Sequence, residues 1–237
     1  MINFGIIKKK MRSKEFWVEH LGEEWVEALK PLLKSPYMEK VMSATQIDYS
    51  ILEMFPVSQK DIFRAFRLCP FDKMQIVVIG TEPNQDAGNN GLAFGDDYST
   101  YHNSSAMAIH HCIELAYRQL NLDFDFTFES WAKQGVLMLN RSLTAQQNNS
   151  KSDRDKWKKF FGYIIYLIEF WKPGTIFLLW GKEAQKYAEL LSQNNHVFSW
   201  EHPMTAHNKR QPWECPNFKQ IDKLLESLDG GSRKIIW

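Results

Sequence analysis

The residues best suited to chemistry stand directly behind apolar runs. "IVVIG" at 76–80 leads into Thr81, Glu82, Asn84 and Gln85, and "VLMLN" ends on Asn140. "TIFLLWG" ends on Gly181 with Lys182 behind it, and "HVFSW" is followed by Glu201 and His202. Carboxylate, amide and imidazole groups handle protons and read hydrogen-bonding edges. Any one of them is what an ordinary polar loop supplies. A set of them, one behind each strand-like run, asks for a common site.

The elements that would bring them together can be read from periodicity. The four apolar runs are short, rich in branched or large apolar residues, and fit buried strands. Between them lie helical patterns. "SKEFWVEHLGEEWVEALKPLL" is broken by Pro31, and "SQKDIFRAFRLC" opens on a Ser cap. "NSSAMAIHHCIELAYRQL" is again Ser-capped, and "FTFESWAKQG" is shorter. "SDRDKWKKFFGYIIYLIEFW" is a long amphipathic helix stopped by Pro173-Gly174; "KEAQKYAELLSQN" and "PNFKQIDKLLESL" follow. Alternation of strand and helix predicts an α/β three-layer sandwich, with a mostly parallel four-stranded central sheet and helices on both faces. In such sheets ligands bind beyond the carboxyl ends of the strands, which is where the polar set falls.

The 237 residues carry a formal net charge of +1, so any basic surface for a polyanion must be local. Cys69, Cys112 and Cys215 are odd in number, widely spaced and form no C-x-x-C pair, which points to neither a zinc site nor a disulfide framework. No apolar run reaches a membrane span, and the start of the chain lacks a cleavable apolar region. The expectation is a non-secreted, intracellular protein, cytoplasmic or nuclear, without a membrane partner. Residues 1–12 read as a loose, solvated basic arm before a single domain over 13–237.

Several segments together resemble family 1 uracil-DNA glycosylases. "FDKMQIVVIGTEPNQDAGNNGLAF" is similar to that family's F-D-K-V-K-V-V-I-L-G-Q-D-P-Y-H…G-L-A-F. "SWAKQGVLMLNRSLT" is similar to S-W-A-K-Q-G-V-L-L-L-N, "FLLWGKEAQK" to F-x-L-W-G-x-x-A-Q-K, and "EHPMTAHNKR" to H-P-S-P-L-S-A-H-R. The blocks run in order from about Trp25 to the terminal "IIW". The resemblance implies the same α/β fold and a base-flipping DNA glycosylase that needs no metal or organic cofactor. Such an enzyme reads the pairing edge of an everted base in a closed pocket. It implies that Asn140 pairs with the uracil-type edge, that Phe94 stacks on the base, and that His202 stabilises charge developing on O2. Backbone amides at Thr81 would face O2. Glu82 falls at the family's water-binding Asp.

Departures from the family pattern carry their own expectations. Glu82 has one methylene more than that Asp, moving its oxygens by roughly 1.5 Å. Asn84 replaces the Tyr that closes the pocket against a C5 substituent, so the expected base is uracil or, in preference, a uracil-like base enlarged at C5: thymine, 5-hydroxymethyluracil or something larger. Gln85 replaces a His and is read as a polar loop contact. The phosphate loop has become "YHNSSAM", keeping Ser105 and losing its prolines. Lys182 replaces a Ser behind Gly181 and adds a cation for a phosphate. The segment holding Met204, Thr205 and His207 is two residues shorter and lacks the family's Leu wedge, leaving Met204 as its apolar candidate. Flipping from intact duplex should suffer, so single-stranded or weakened DNA is the expected partner, bound by a monomer. "SKSDRDKWKKF", with five basic residues around Trp157, reads as a solvated helix face.

Two rival readings differ in class. One is a catalytically weak or inactive DNA-binding or replication-accessory protein on the same fold. The other, a small-molecule hydrolase, lacks a G-x-S-x-G elbow or a phosphate loop.

Overall fold

The computed structural model describes residues 13–85, 88–98, 104–120, 123–230 and 234–237. The arm at 1–12 and part of "YHNSSAM" lie outside the described residues.

Four strands form one parallel sheet in the order β3-β2-β5-β6: β2 Ile76–Gly80, β3 Val136–Asn140, β5 Ile176–Trp180 and β6 His196–Trp200. All four coincide with the apolar runs expected to be strands. Every residue of β2, β3 and β5 is buried, whereas β6 at the sheet edge is largely open. From β2 the chain steps outward to β3 and then crosses back to β5. With right-handed crossovers that reversal puts the two connections on opposite faces. The first contains α5 Ser104–Tyr117 and α6 Glu129–Lys133; the second contains α7 Arg154–Trp171. The reversal also makes the gap between β2 and β5 a topological switch point, the crevice in which such sheets bind ligands.

The N-terminal helices are α1 Lys14–Leu21, α2 Glu23–Leu33 and α3 Pro36–Ile51, and α2 and α3 pack on α7. These helices depart from the sequence pattern at two points. Pro31 does not break its helix: α2 runs through it to Leu33, and the interruption is at Gly22, whose φ of 86° leaves the helical region. Pro31 lies in the last turn of α2, so it removes a single hydrogen bond close to where the helix ends anyway. The second departure is α3, absent from the periodicity reading, although Ser35 caps it through Met38 N and Pro36 occupies its first turn.

Beyond α3 come β1 Met54–Phe55, a 3₁₀ turn at Gln59–Asp61 and α4 Arg64–Leu68. β1 pairs antiparallel with β4 Ala145–Gln146, a small sheet that the sequence did not announce. The helix expected after β5 is shorter than its pattern: α8 covers Lys182–Gln185, and a 3₁₀ turn follows at Ala188–Leu190. α9 Pro203–Asn208 and α10 Asn217–Asp229 close the chain against α5.

The start of α7 is anchored from inside. The Asp153 side chain is 2 % exposed and accepts from the Thr144 hydroxyl and from Lys156 Nζ at 2.9 Å. Trp157 Nε1 donates to Thr144 Oγ1 at 2.7 Å, and Lys156 also pairs with Asp48 of α3. The "SKSDRDKWKKF" face is therefore not simply solvated. Lys151, Lys158 and Lys159 are exposed, but the side chains of Arg154 and Lys156 are only 23 % and 16 % exposed.

Removing the Asp153 carboxylate leaves the buried Thr144 hydroxyl without its acceptor and Lys156 with Asp48 alone. Asp153→Ala is expected to cost about 1–3 kcal/mol, read by urea denaturation. A loss below about 0.5 kcal/mol, ordinary for a surface substitution, would show that this network does not hold the helix start.

Candidate active site

The site begins where β2 and β3 end. Gly80 is registered opposite Asn140, and the pairing continues past the strands: Arg141 N donates to Gly80 O and Ser142 N to Thr81 O, both at 3.0 Å. The Asn140 amide lies over Gly80 so closely that a Cβ there would stand 2.2 Å from Asn140 Oδ1 and 2.8 Å from Ala93 Cβ. Gly80 is thus a glycine for space. Asn140 is 3 % exposed, and among the described residues no side-chain hydrogen bond is seen at its amide.

Ala93 brings in the next participant. Its N donates to Met138 O at 3.0 Å, tying the loop after β2 back onto β3 and placing Phe94 beside the strand ends. Phe94 has φ 66°, the left-handed region, where a bulky residue costs about 1–3 kcal/mol and persists only where its surroundings impose it. The surroundings do so. Buried Asn90 donates to Asp97 Oδ1 at 3.0 Å and Thr127 O at 3.1 Å, and it accepts from Leu92 N at 3.1 Å. Gly95 N and Asp96 N bond Leu92 O and Phe126 O. The Phe94 ring is held 5.7 Å from Trp180 and 5.6 Å from His202.

His202 caps α9, its Nδ1 accepting from Met204 N at 3.1 Å. An accepting Nδ1 leaves the proton of the neutral ring on Nε2. Burial pushes the imidazole pKa below its ordinary value, so the neutral form is the stable one. Gly181, with φ 92°, lies under this ring, and a Cβ on it would come within 2.8 Å of His202 Cβ.

Glu82 is the outcome least visible in the sequence. Its carboxylate is gripped by the first residue of α7: Arg154 Nε reaches Oε2 at 3.0 Å and Nη2 reaches Oε1 at 2.6 Å. The carboxylate is 13 % exposed, and its hydrogen bonds hold the guanidinium pKa above the usual arginine value. Arg154 was missed as a site residue. The available signal was a cation in the first turn of a helix, where the macrodipole disfavours it.

The remaining candidates fall around this cluster. Gln85 is the polar loop contact it was read to be, donating to Gln146 O at 2.6 Å and accepting from Asn148 N at 3.2 Å. Thr81 and Asn84 are half-buried on the same loop. Ser105, in the first turn of α5, is buried, and Lys182 is exposed at the start of α8. On α9, Met204 and Thr205 are half-buried and His207 is exposed. Arg141 is a further cation at this edge, 3.4 Å from Tyr187 Oη and 3.9 Å from Glu183 Oε2. A separate cavity of about 470 Å³ among α1, α2 and α3 shares no lining residue with the cluster.

The family model described as "Uracil DNA glycosylase superfamily" matches residues 66–229, a span that holds every one of these side chains. The chain belongs to the uracil DNA glycosylase superfamily. Its activity is accordingly that of a DNA glycosylase, a hydrolase of N-glycosyl bonds. A uracil-DNA glycosylase of Pseudomonas fluorescens is 31 % identical over 92 % of this chain and 94 % of its own length. One from Chlamydia felis is 30 % identical over 90 % and 94 %. Among solved structures, mimivirus uracil-DNA glycosylase superposes with a TM-score of 0.75 at 18 % identity, covering 87 % of this chain and 83 % of that one. That likeness supports the glycosylase fold expected for the chain.

Two outcomes test the geometry. Gly80→Ala should displace the Asn140 amide and lower the single-turnover excision rate by roughly 100-fold. A rate within threefold of wild type would show that the amide position is unimportant. For His202, the unfolded chain takes up the proton more readily than the fold does. Its contribution to stability is complete above the ordinary histidine pKa of about 6.5 and is lost as pH falls toward the folded value. His202→Asn keeps a capping oxygen, so its Tm should fall less than that of wild type between about pH 7.5 and 5.5. Equal falls would contradict a buried neutral ring.

Proposed function

We propose that this glycosylase removes an everted pyrimidine with a uracil-like pairing edge and a substituent at C5, leaving an abasic site. The observation that carries the reading is the Asn140 amide, buried over Gly80 and aligned with the Phe94 loop, while Asn84 occupies the position that in the family is closed by Tyr. An amide presents donor and acceptor together, which fits O4 and N3–H of a uracil-type base and misfits cytosine. Loss of the Tyr ring leaves room and a polar group beside C5.

In this reading the base stacks on Phe94, and His202 Nε2–H donates to O2 as negative charge builds there, helped by backbone N–H at Thr81. The C1′–N1 bond breaks with its electron pair leaving on the base. Water adds to C1′, and the proton it loses balances the departing anion. Glu82 orients that water and steadies the sugar cation. Each of its oxygens gives one lone pair to Arg154 and keeps capacity for another donor. Ser105, Gly181, Lys182, Met204, Thr205 and His207 grip the flanking backbone. The shortened α9 segment favours single-stranded or destabilised DNA, bound by a monomer inside the cell. Such an activity would serve repair or act against modified foreign DNA.

A second reading, a DNA-binding protein with little catalysis, is favoured by one observation: the Glu82 charge is offset by Arg154. Abasic product separates the two. Single-stranded and duplex oligonucleotides containing uracil, thymine or 5-hydroxymethyluracil should release the C5-substituted bases fastest, with single strands preferred, as measured by mass spectrometry of the freed base. A strong preference for plain uracil would refute the enlarged pocket. Binding without abasic product across the panel would leave the second reading standing.

A further inference from the structure

We infer that Arg154 is the positioning residue that makes a glutamate workable at position 82. The inference rests on the glycosylase reading of Glu82 and goes beyond it by naming the group that sets its geometry. A glutamate in place of aspartate carries its oxygens roughly 1.5 Å further from the backbone and adds a freely rotating bond. Placement errors of about 1 Å at a reacting centre can cost 100-fold. A chain with Glu82 therefore needs something to fold the longer side chain back and fix the plane of its carboxylate.

Arg154 has the geometry to do this. The contact is a fork: Nε to Oε2 at 3.0 Å and Nη2 to Oε1 at 2.6 Å, joining residues 72 apart in sequence. A two-point contact fixes both the position and the plane of a carboxylate, which a single ammonium cannot do. Both side chains are largely withdrawn from solvent, at 13 % and 23 % exposure, so the pair is not a loose surface bridge.

The base of the fork is rigid. Arg154 follows Asp153, whose buried carboxylate is locked to Thr144 and Lys156, and Trp157 closes the same network. The loop bearing Glu82 is pinned independently through Gln85 to Gln146 and Asn148. Two constraints thus tie this loop to the 141–154 connection that runs on from Asn140. Helix stability gives no reason for the arginine, since a cation in the first turn opposes the macrodipole. Its reach to Glu82 supplies one.

The test is a rate-against-binding split with conservative rescue. The substrate is a single-stranded oligonucleotide carrying whichever panel base the wild-type protein excises fastest; the binding probe is the matching abasic oligonucleotide. Arg154→Gln should lower the single-turnover rate roughly 100-fold while abasic-DNA affinity changes less than threefold. Arg154→Lys, which restores charge without the fork, should recover part of that loss. Glu82→Gln/Arg154→Gln should be no slower than Glu82→Gln alone, because a residue acting only through Glu82 has nothing left to position. A wild-type rate in Arg154→Gln, multiplicative losses in the double variant, or an affinity loss as large as the rate loss would each overturn the inference. Should Arg154→Gln fail to fold, Arg154→Lys against Glu82→Gln makes the same comparison, and a wild-type rate in Arg154→Lys overturns the fork. A wild-type rate in Glu82→Gln instead removes the glycosylase role of Glu82 itself, a distinct failure.

Discussion

The register of β2 on β3 is the constraint from which the site follows. Pairing Gly80 with Asn140 puts an amide over a residue without a side chain, and the ladder continues one step further through Arg141 and Ser142. A shift of one residue would turn Asn140 toward the opposite face of the sheet and bring a different residue beside Gly80. Because β2 and β3 are buried on both faces, that shift would also disturb the packing of each layer. The core therefore enforces the placement of a polar group that contributes nothing to the core.

A second constraint runs through the connection after Asn140. Residues 141–154 are held at Thr144 and Asp153 from within, at β4 by β1, and at Gln146 by Gln85. Phe94 is imposed on the opposite side by Asn90 and the ladder bond from Ala93 to Met138. Both loops refer their positions to β3. The strained φ of Phe94 is maintained by that reference rather than by local preference, as expected of a side chain whose direction matters more than its comfort.

What the sequence disclosed and what it concealed divide along physical lines. Three of the four strands were legible because a parallel strand buried on both faces is apolar along its length, as residues 76–79, 136–139 and 176–180 are. The site edge followed from topology, which brought Glu82, Asn140 and His202 to strand ends. Pro31 misled because its effect depends on distance from the helix end, and periodicity does not give that distance. Arg154 stayed hidden for a different reason. An ion pair across 72 residues leaves as its local sign only a cation in a helix's first turn, and the charges around Trp157 otherwise resemble those of any solvated helix. The Gly80 requirement was also unreadable, because it arises from a neighbouring strand's side chain.

The two ends of the cluster solve opposite electrostatic problems. His202 is stripped of charge by burial, and its capped Nδ1 fixes one N–H donor in place. Such a donor stabilises a nascent anion without requiring the imidazole to ionise. Glu82 is paired with the Arg154 guanidinium, so at a distance the pair acts as a dipole, whose field falls off faster than that of a lone charge. In the proposed reaction Glu82 acts on the sugar only at close range, through the lone pairs that Arg154 leaves open. In that arrangement accuracy of placement replaces strength of charge, and the fork at Arg154 is the part of the structure that provides accuracy.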